Sequence, residues 1–104
     1  MDRLEVLEKQ YRLKKRLYEE REKELYRQRN KGMTIIEEVQ DRSHYYLTDF
    51  GIDHHLLRQG LLKLDDMKAE VSEAMKLDLQ KLTRKVEKLD ADYYRQLREI
   101  DHEG

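Results

Sequence analysis

A seven-residue repeat runs through the first half of this chain: Leu4, Tyr11, Tyr18, Leu25, Gly32, Val39 and Tyr46, with Leu7, Ile35 and Ile36 beside them. Such a repeat sets side chains along one stripe of an α-helix, and an apolar stripe needs a partner to cover it. Lys14, Arg21 and Gln28 fall at the alternate seam positions, so the middle of this helix is expected to pack weakly. The pattern resumes at Leu57, Leu61, Leu64, Val71, Met75, Leu79, Leu82, Val86, Leu89, Tyr93, Leu97 and Ile100. Steps of three and four dominate, with extra fours near Met75 and Leu97 that locally unwind a supercoil. The spacing predicts two helices, over 3–47 and 54–101, each roughly 70 Å long at about 1.5 Å per residue.

Between them lies HYYLTDFGIDHHLL, residues 44 to 57, which interrupts both stripes. Gly51 can adopt the positive φ that a tight helix–helix turn needs. Asp53 or Asp49 can accept hydrogen bonds from the exposed N–H groups that start the next helix. A turn over 48–53, with Asp49, Phe50, Gly51 and Asp53 in it and Tyr46 nearby, leaves arms of nearly equal length. Val39 then comes level with about Leu64, and Leu4 with about Leu97. The expected fold is all-α: an antiparallel two-helix hairpin, coiled-coil-like, in one domain over 1–104. A competing break sits at RNKGMTIIEE, where Asn30 and Gly32 could end a helix and Thr34 with Glu37 spells a capping box. The sevenfold register passes through Gly32 unbroken, which favours continuity with a kink or close helix contact at that glycine. Gly60 is a similar mild weakness in the second helix.

Composition agrees with long helices. Charged residues make up 43% of the chain, against about a quarter in ordinary globular domains, and there is no Pro, Cys or Trp. The regular Leu/Tyr/Val spacing argues against wholesale disorder. No stretch has the apolar length to span a bilayer, and MDRLEVLEKQ is too charged for a secretory signal. The expected starting compartment is therefore the cytosol, and the lack of cysteine fits a reducing one. The formal charge of −1 hides an asymmetry. Residues 9–31 hold ten Lys/Arg against four Glu, and residues 48–104 hold ten Lys/Arg against thirteen Asp/Glu.

A lone hairpin of this length has no third layer to enclose a core, while ordering each residue costs about 1–2 kcal/mol of backbone entropy. Leu13, Leu17, Tyr26, Met33, Leu56, Leu62, Met67, Leu77 and Tyr94 fall off the main stripes. A few exposed apolar residues are normal. Nine on two helices point to a partner, either a second copy or another helical protein, in a larger helical bundle.

Chemical candidates carry less weight. His54 and His55 diverge by about 100° on a helix, so they do not readily share a metal. With Asp53, Asp49 and His44 they could form a zinc site only if the turn folded back, and no i, i+4 His pair or H-E-x-x-H occurs. Solvated turn residues are the simpler reading. The triplet DFG at 49–51 lacks the glycine-rich and catalytic loops that give it meaning in kinases. Asp90, Asp92, Asp101 and His102 lie on a charged outer face without a pocket, and no catalytic or cofactor role is assigned. The stretch QYRLKKRLY, residues 10–18, invites a nucleic-acid or anionic-membrane reading. The acidic residues at 19–24 follow at once, and Glu/Lys pairs stand three or four apart, so a salt-bridged solvated face explains it more simply. The pI near 6.4 also disfavours nucleic acid.

In architecture the chain resembles the small WXG100-like helical proteins of type VII secretion in Gram-positive bacteria. The charged first helix, the central aromatic/Gly turn and VEKLDADYYRQLREI resemble, more narrowly, the small accessory proteins of LXG-domain toxins. The resemblance covers most of the chain, yet its local motifs are weak. The Trp-x-Gly turn is absent, with Phe50-Gly51 nearest to it. The export signature of an aromatic followed four residues later by an acid is reduced to Leu97 and Asp101. This favours a subunit whose partner supplies the signal. The resemblance implies a role in binding the helical N-terminal domain of a toxin, with a sister small helical protein, and making it competent for export. The chain would act in the cytosol, whether or not it leaves with its cargo.

The contact residues expected at the joined ends are Leu4, Leu7, Tyr11, Tyr18 and Leu25 with Leu82, Val86, Leu89, Tyr93 and Leu97. Two rival readings use the same features. One is a hairpin chaperone or stalk component of flagellar-type export. The other is a homodimeric nucleic-acid-associated protein using residues 9–31.

Overall fold

The computed structural model describes residues 2–49 and 53–103, with side chains through Tyr45 and again from Asp53. Two helices account for nearly all of them: α1, Arg3–Asp49, and α2, His54–Glu103. They pack against each other as a helical hairpin. Both exceed the expected spans by two residues at one end, within the usual uncertainty of a helix terminus. Asp49 therefore closes α1 instead of entering the turn. The expected positive φ at Gly51 and the placement of Phe50 lie outside the described residues.

Each helix starts on an aspartate. Asp53 accepts the His55 N–H on Oδ1 at 2.9 Å, while its carbonyl accepts the Leu57 N–H at 3.1 Å. Asp2 does the same for α1, taking the Leu4 N–H at 3.1 Å and the Val6 N–H at 3.1 Å. In each helix the carboxylate satisfies one N–H that the helix leaves unpaired, typically worth about 1 kcal/mol per cap, and the carbonyl accepts the first intrahelical bond. The cap at Asp53 is one of the two alternatives the sequence offers. The cap at Asp2 was not anticipated.

No break occurs near Gly32. Thr34 does not cap a new helix; its hydroxyl donates back to the Asn30 carbonyl at 2.9 Å. Gly32 faces α2, and a Cβ built there would stand 3.7 Å from Val71 Cγ1, an ordinary contact.

The hairpin's contacts sort into two units, one of Met1–Leu25 with Asp78–Gly104 and one of Tyr26–Leu77. In the first, Leu25 and Leu82 are buried, and Leu4, Leu7, Tyr11, Tyr18, Val86, Leu89, Tyr93, Leu97 and Ile100 are half-buried along the same seam. In the second, Ile36, Leu57 and Met75 are buried, with Leu61, Leu64 and Val71 half-buried beside them. Every α2 position expected on the stripe faces inward.

The α1 stripe departs from a strict sevenfold repeat in two ways. Lys15 and Arg29 turn inward where Lys14 and Gln28 were expected, and of Ile35 and Ile36, both expected on the stripe, only Ile36 does so. Further on, Gln40 and Ser43 are half-buried, whereas Val39 is 44% exposed. The cause is geometric. A helix of 3.6 residues per turn drifts about 20° per heptad against a sevenfold repeat, or about 100° over five heptads, which is one residue position. Ile35 is accordingly 51% exposed and its neighbour Ile36 only 7%.

This slip has a direct test. Ile36→Ala should cost about 2–3 kcal/mol, at the low end for a buried aliphatic because the seam is open to water. Ile35→Ala should cost less than about 1 kcal/mol when melted at low protein concentration. Urea melts of the two variants decide between the observed stripe and the strict repeat, which requires the reverse order.

Candidate functional site

The most organised cluster of side chains lies in the first unit, where α1 and α2 run antiparallel. The rings of Tyr11 and Tyr93 stack with centroids 3.9 Å apart and planes at 13°. Tyr94 meets the edge of Tyr93 at 5.5 Å. The stack brings Leu7, not Leu4, level with about Leu97, one turn away from the expected register. In the second unit Gln40 donates to Asp65 at 2.8 Å, and Lys68 reaches Glu37 at 3.9 Å. Val39 there stands within about two residues of its expected level.

A polar clasp sits beside the stack. Tyr11 Oη donates to Asp90 Oδ1 at 2.7 Å, and Lys15 Nζ donates both to that oxygen at 2.9 Å and to Tyr11 Oη at 3.0 Å. The ammonium also lies 5.3 Å from the Tyr11 ring centroid. All three groups are half-buried, so each interaction is stronger than at an open surface while water still touches the cluster. Their ionisation states are fixed by one another. Tyr11 and then Lys15 donate to Asp90 and hold its carboxyl below the usual range. The hydrogen bond to Tyr11, then that to Asp90, raises the Lys15 ammonium. Lys15 pulls the Tyr11 phenol down, but donation to Asp90 together with burial leaves it raised on balance.

Every group is thus pushed further into the form it already has at neutral pH. A general acid or base needs the opposite, a pKa drawn towards the working pH. The arrangement acts as a fastener: a polar group in a helix seam specifies register more than it adds stability. Sequence reasoning named Asp90 only as a weak acid–base candidate and passed over Lys15. The usable signal was spacing, with Lys15 four residues after Tyr11 and Asp90 three before Tyr93 on the facing helix.

The other chemical candidates have local roles. Asp92 reaches Arg95 at 3.7 Å one turn on. His55 pairs through Nε2 with Gln59 at 3.2 Å, and Asp53 caps α2. Among the described residues no three His, Cys, Asp or Glu side chains are grouped to hold a metal. None of the described helices is long and apolar enough to cross a membrane.

The residues expected to bind a partner (Leu4, Leu7, Tyr11, Tyr18, Leu25, Leu82, Val86, Leu89, Tyr93 and Leu97) form the seam between the two helices, so their inner surfaces pack within the chain. Asp101, paired by spacing with Leu97, is exposed. Other residues present apolar surface outside the seam. Of the nine off-stripe apolar residues eight are exposed, and Met33 is half-buried. In the first unit Val6, Leu13 and Leu17 stand out from α1 at spacings of seven and four, a second apolar stripe turned away from the seam.

The clasp predicts a signed pH response. Asp90 has its folded pKa below the unfolded value near 3.9, so its contribution is present above about pH 4 and is lost as pH falls through the folded value. Asp90→Asn should lower stability at pH 7 and flatten the acid limb of a stability–pH profile. Tyr11→Phe should cost about 0.5–1.5 kcal/mol at pH 7. An unchanged acid limb in Asp90→Asn would contradict the clasp.

No family model, curated protein or solved structure matches this chain.

Proposed function

We propose that this chain is a non-enzymatic accessory subunit that binds the helical N-terminal domain of a secreted LXG-type toxin, together with a sister small helical protein. It would thereby help that toxin's export by type VII secretion. The observation carrying the reading is the second stripe on α1. Val6, Leu13 and Leu17 repeat with seam spacing yet face water at 38%, 57% and 55% exposure. An apolar stripe on a helix already paired through its other side is what a third helix needs.

The physical mechanism is mutual shielding. A cargo domain built of long amphipathic helices exposes apolar surface when alone. Laying one of its helices along Val6, Leu13 and Leu17 covers both surfaces. Full burial of each such side chain contributes about 1.5–3 kcal/mol before ordering costs. Charged neighbours flank the stripe: Glu5, Glu8, Lys9, Arg12 and Arg16 line a shallow groove with Leu13. Their signs are segregated along the helix, acidic at Glu5 and Glu8 and then basic at Lys9, Arg12 and Arg16, a pattern that selects among partner helices by pairing or repulsion. The rigid seam beneath, fastened at Tyr11, Lys15 and Asp90, presents the stripe without further ordering cost.

Co-expression with the N-terminal domain of an LXG-type toxin is the test. The two should co-purify as a stoichiometric complex. The double variant Leu13→Glu, Leu17→Glu should keep its helical circular dichroism yet bind at least about tenfold more weakly. Failure of the intact chain to form a complex would refute the partner, and unchanged binding by the double variant would refute the surface.

A further inference from the structure

We infer that the second unit, Tyr26–Leu77, docks against a second copy of this chain through one apolar face, forming a four-helix arrangement about a two-fold axis near the level of Glu37 and Lys68. This surface is separate from the stripe proposed for cargo.

The two sides of this unit differ. One carries both cross-helix polar contacts, Gln40 with Asp65 and Glu37 with Lys68. At 100° per residue, Ile35 and Val39 on α1 and Leu56, Gly60, Met67 and Ala74 on α2 project towards the other side. All six are exposed, Leu56 at 59% and Met67 at 48%. Gly60 adds an independent sign. A helix-interior glycine costs about 1 kcal/mol against alanine. Gly32 packs on Val71, but nothing lies within 4 Å of a Cβ built at Gly60. Nothing in the packing of the described residues requires the glycine. A neighbouring helix passing close to the face would.

Area and register select a second copy as the occupant. The α1 segment of this unit is about 35 Å long and two helices are about 20 Å wide, giving a footprint of about 700 Å². That is close to the roughly 800 Å² per partner of a standard interface. A single foreign helix would cover only half the width. The apolar positions are also self-complementary under a two-fold axis perpendicular to the helices. Ile35 and Val39 exchange places about residue 37, and Gly60 and Ala74 exchange about Met67. The ion pair of Glu37 with Lys68 shows that these two centres stand at one level. Ile35 then meets the partner's Val39, Met67 meets its counterpart, and Gly60 lies over the partner's Ala74, where small side chains permit close approach. At the margins Lys63 approaches the partner's Glu70 favourably, while Lys31 approaches the partner's Arg42 unfavourably. These terms offset, so the apolar centre drives association and salt affects it little.

The chain has no cysteine, which makes cross-linking clean. Met67→Cys should form a disulfide dimer under mild oxidation at low micromolar concentration, whereas Leu62→Cys, off this face, should not. Sedimentation velocity at about 100 µM should show a dimer of the unaltered chain. Gly60→Leu should raise thermal stability at high dilution while weakening dimerisation at least about tenfold. A monomer at that concentration, or equal cross-linking of the Met67→Cys and Leu62→Cys variants, would overturn the proposal. The assay uses this chain alone, so its failure is distinguishable from failure of cargo binding.

Discussion

Each unit of this molecule depends on one seam between α1 and α2. Two helices facing each other can cover one stripe apiece and enclose no interior. Among the described residues only Leu25, Ile36, Leu57, Met75 and Leu82 are buried, and none is fully sealed from water. No buried polar side-chain atom among them lacks a hydrogen-bond partner. The seam therefore strands no polar side chain among the described residues and has little reserve. A fold of this kind is held by many half-covered contacts, each worth a fraction of what the same side chain contributes in a closed core.

That open seam explains why polar chemistry appears inside it. Long apolar stripes of Leu and Val can slide by a turn with small loss, since one leucine resembles the next. The Tyr11–Tyr93 stack and the Lys15–Asp90 pair remove that freedom, because a slip of one turn separates both at once. The second unit is braced similarly, by Gln40 with Asp65 and Glu37 with Lys68. Stability and specificity are thus divided: aliphatic residues supply burial, and half-buried polar pairs choose which burial occurs. Arg3 and Glu103 add an exposed ion pair in the first unit, where solvent leaves it little weight.

The helices, their number and the inward stripe of α2 were legible in the sequence because period and length are strong signals in an uninterrupted chain. The inward stripe of α1 was legible only until helical drift carried the repeat off its face, which is why Val39 was placed inside and Gln40 was not. Register was harder still. It follows from which side chains interlock, and Lys15 reads in isolation as one of many surface lysines. The off-stripe leucines and methionine were visible as a surplus, but sorting them into faces required the pairing geometry. The export and cargo reading rests on resemblance in architecture, and the exposed stripe of α1 supplies the surface on which it can operate.

The exposed faces follow from the same economy. A seam that uses one side of each helix leaves the remaining apolar residues exposed, Leu13, Leu17, Leu56, Leu62 and Tyr94 most of all among the nine off-stripe residues. The pairing of α1 with α2 in the first unit is the premise beneath the clasp and the exposed stripe of α1, and nuclear Overhauser contacts between Tyr11 and Tyr93 test it most directly. Strong cross-peaks between the two rings, with the Tyr11 hydroxyl near Asp90, are the expected result. Tyr11 resonances that instead contact residues a turn from Tyr93, or no residue of α2, would contradict the register on which the account stands.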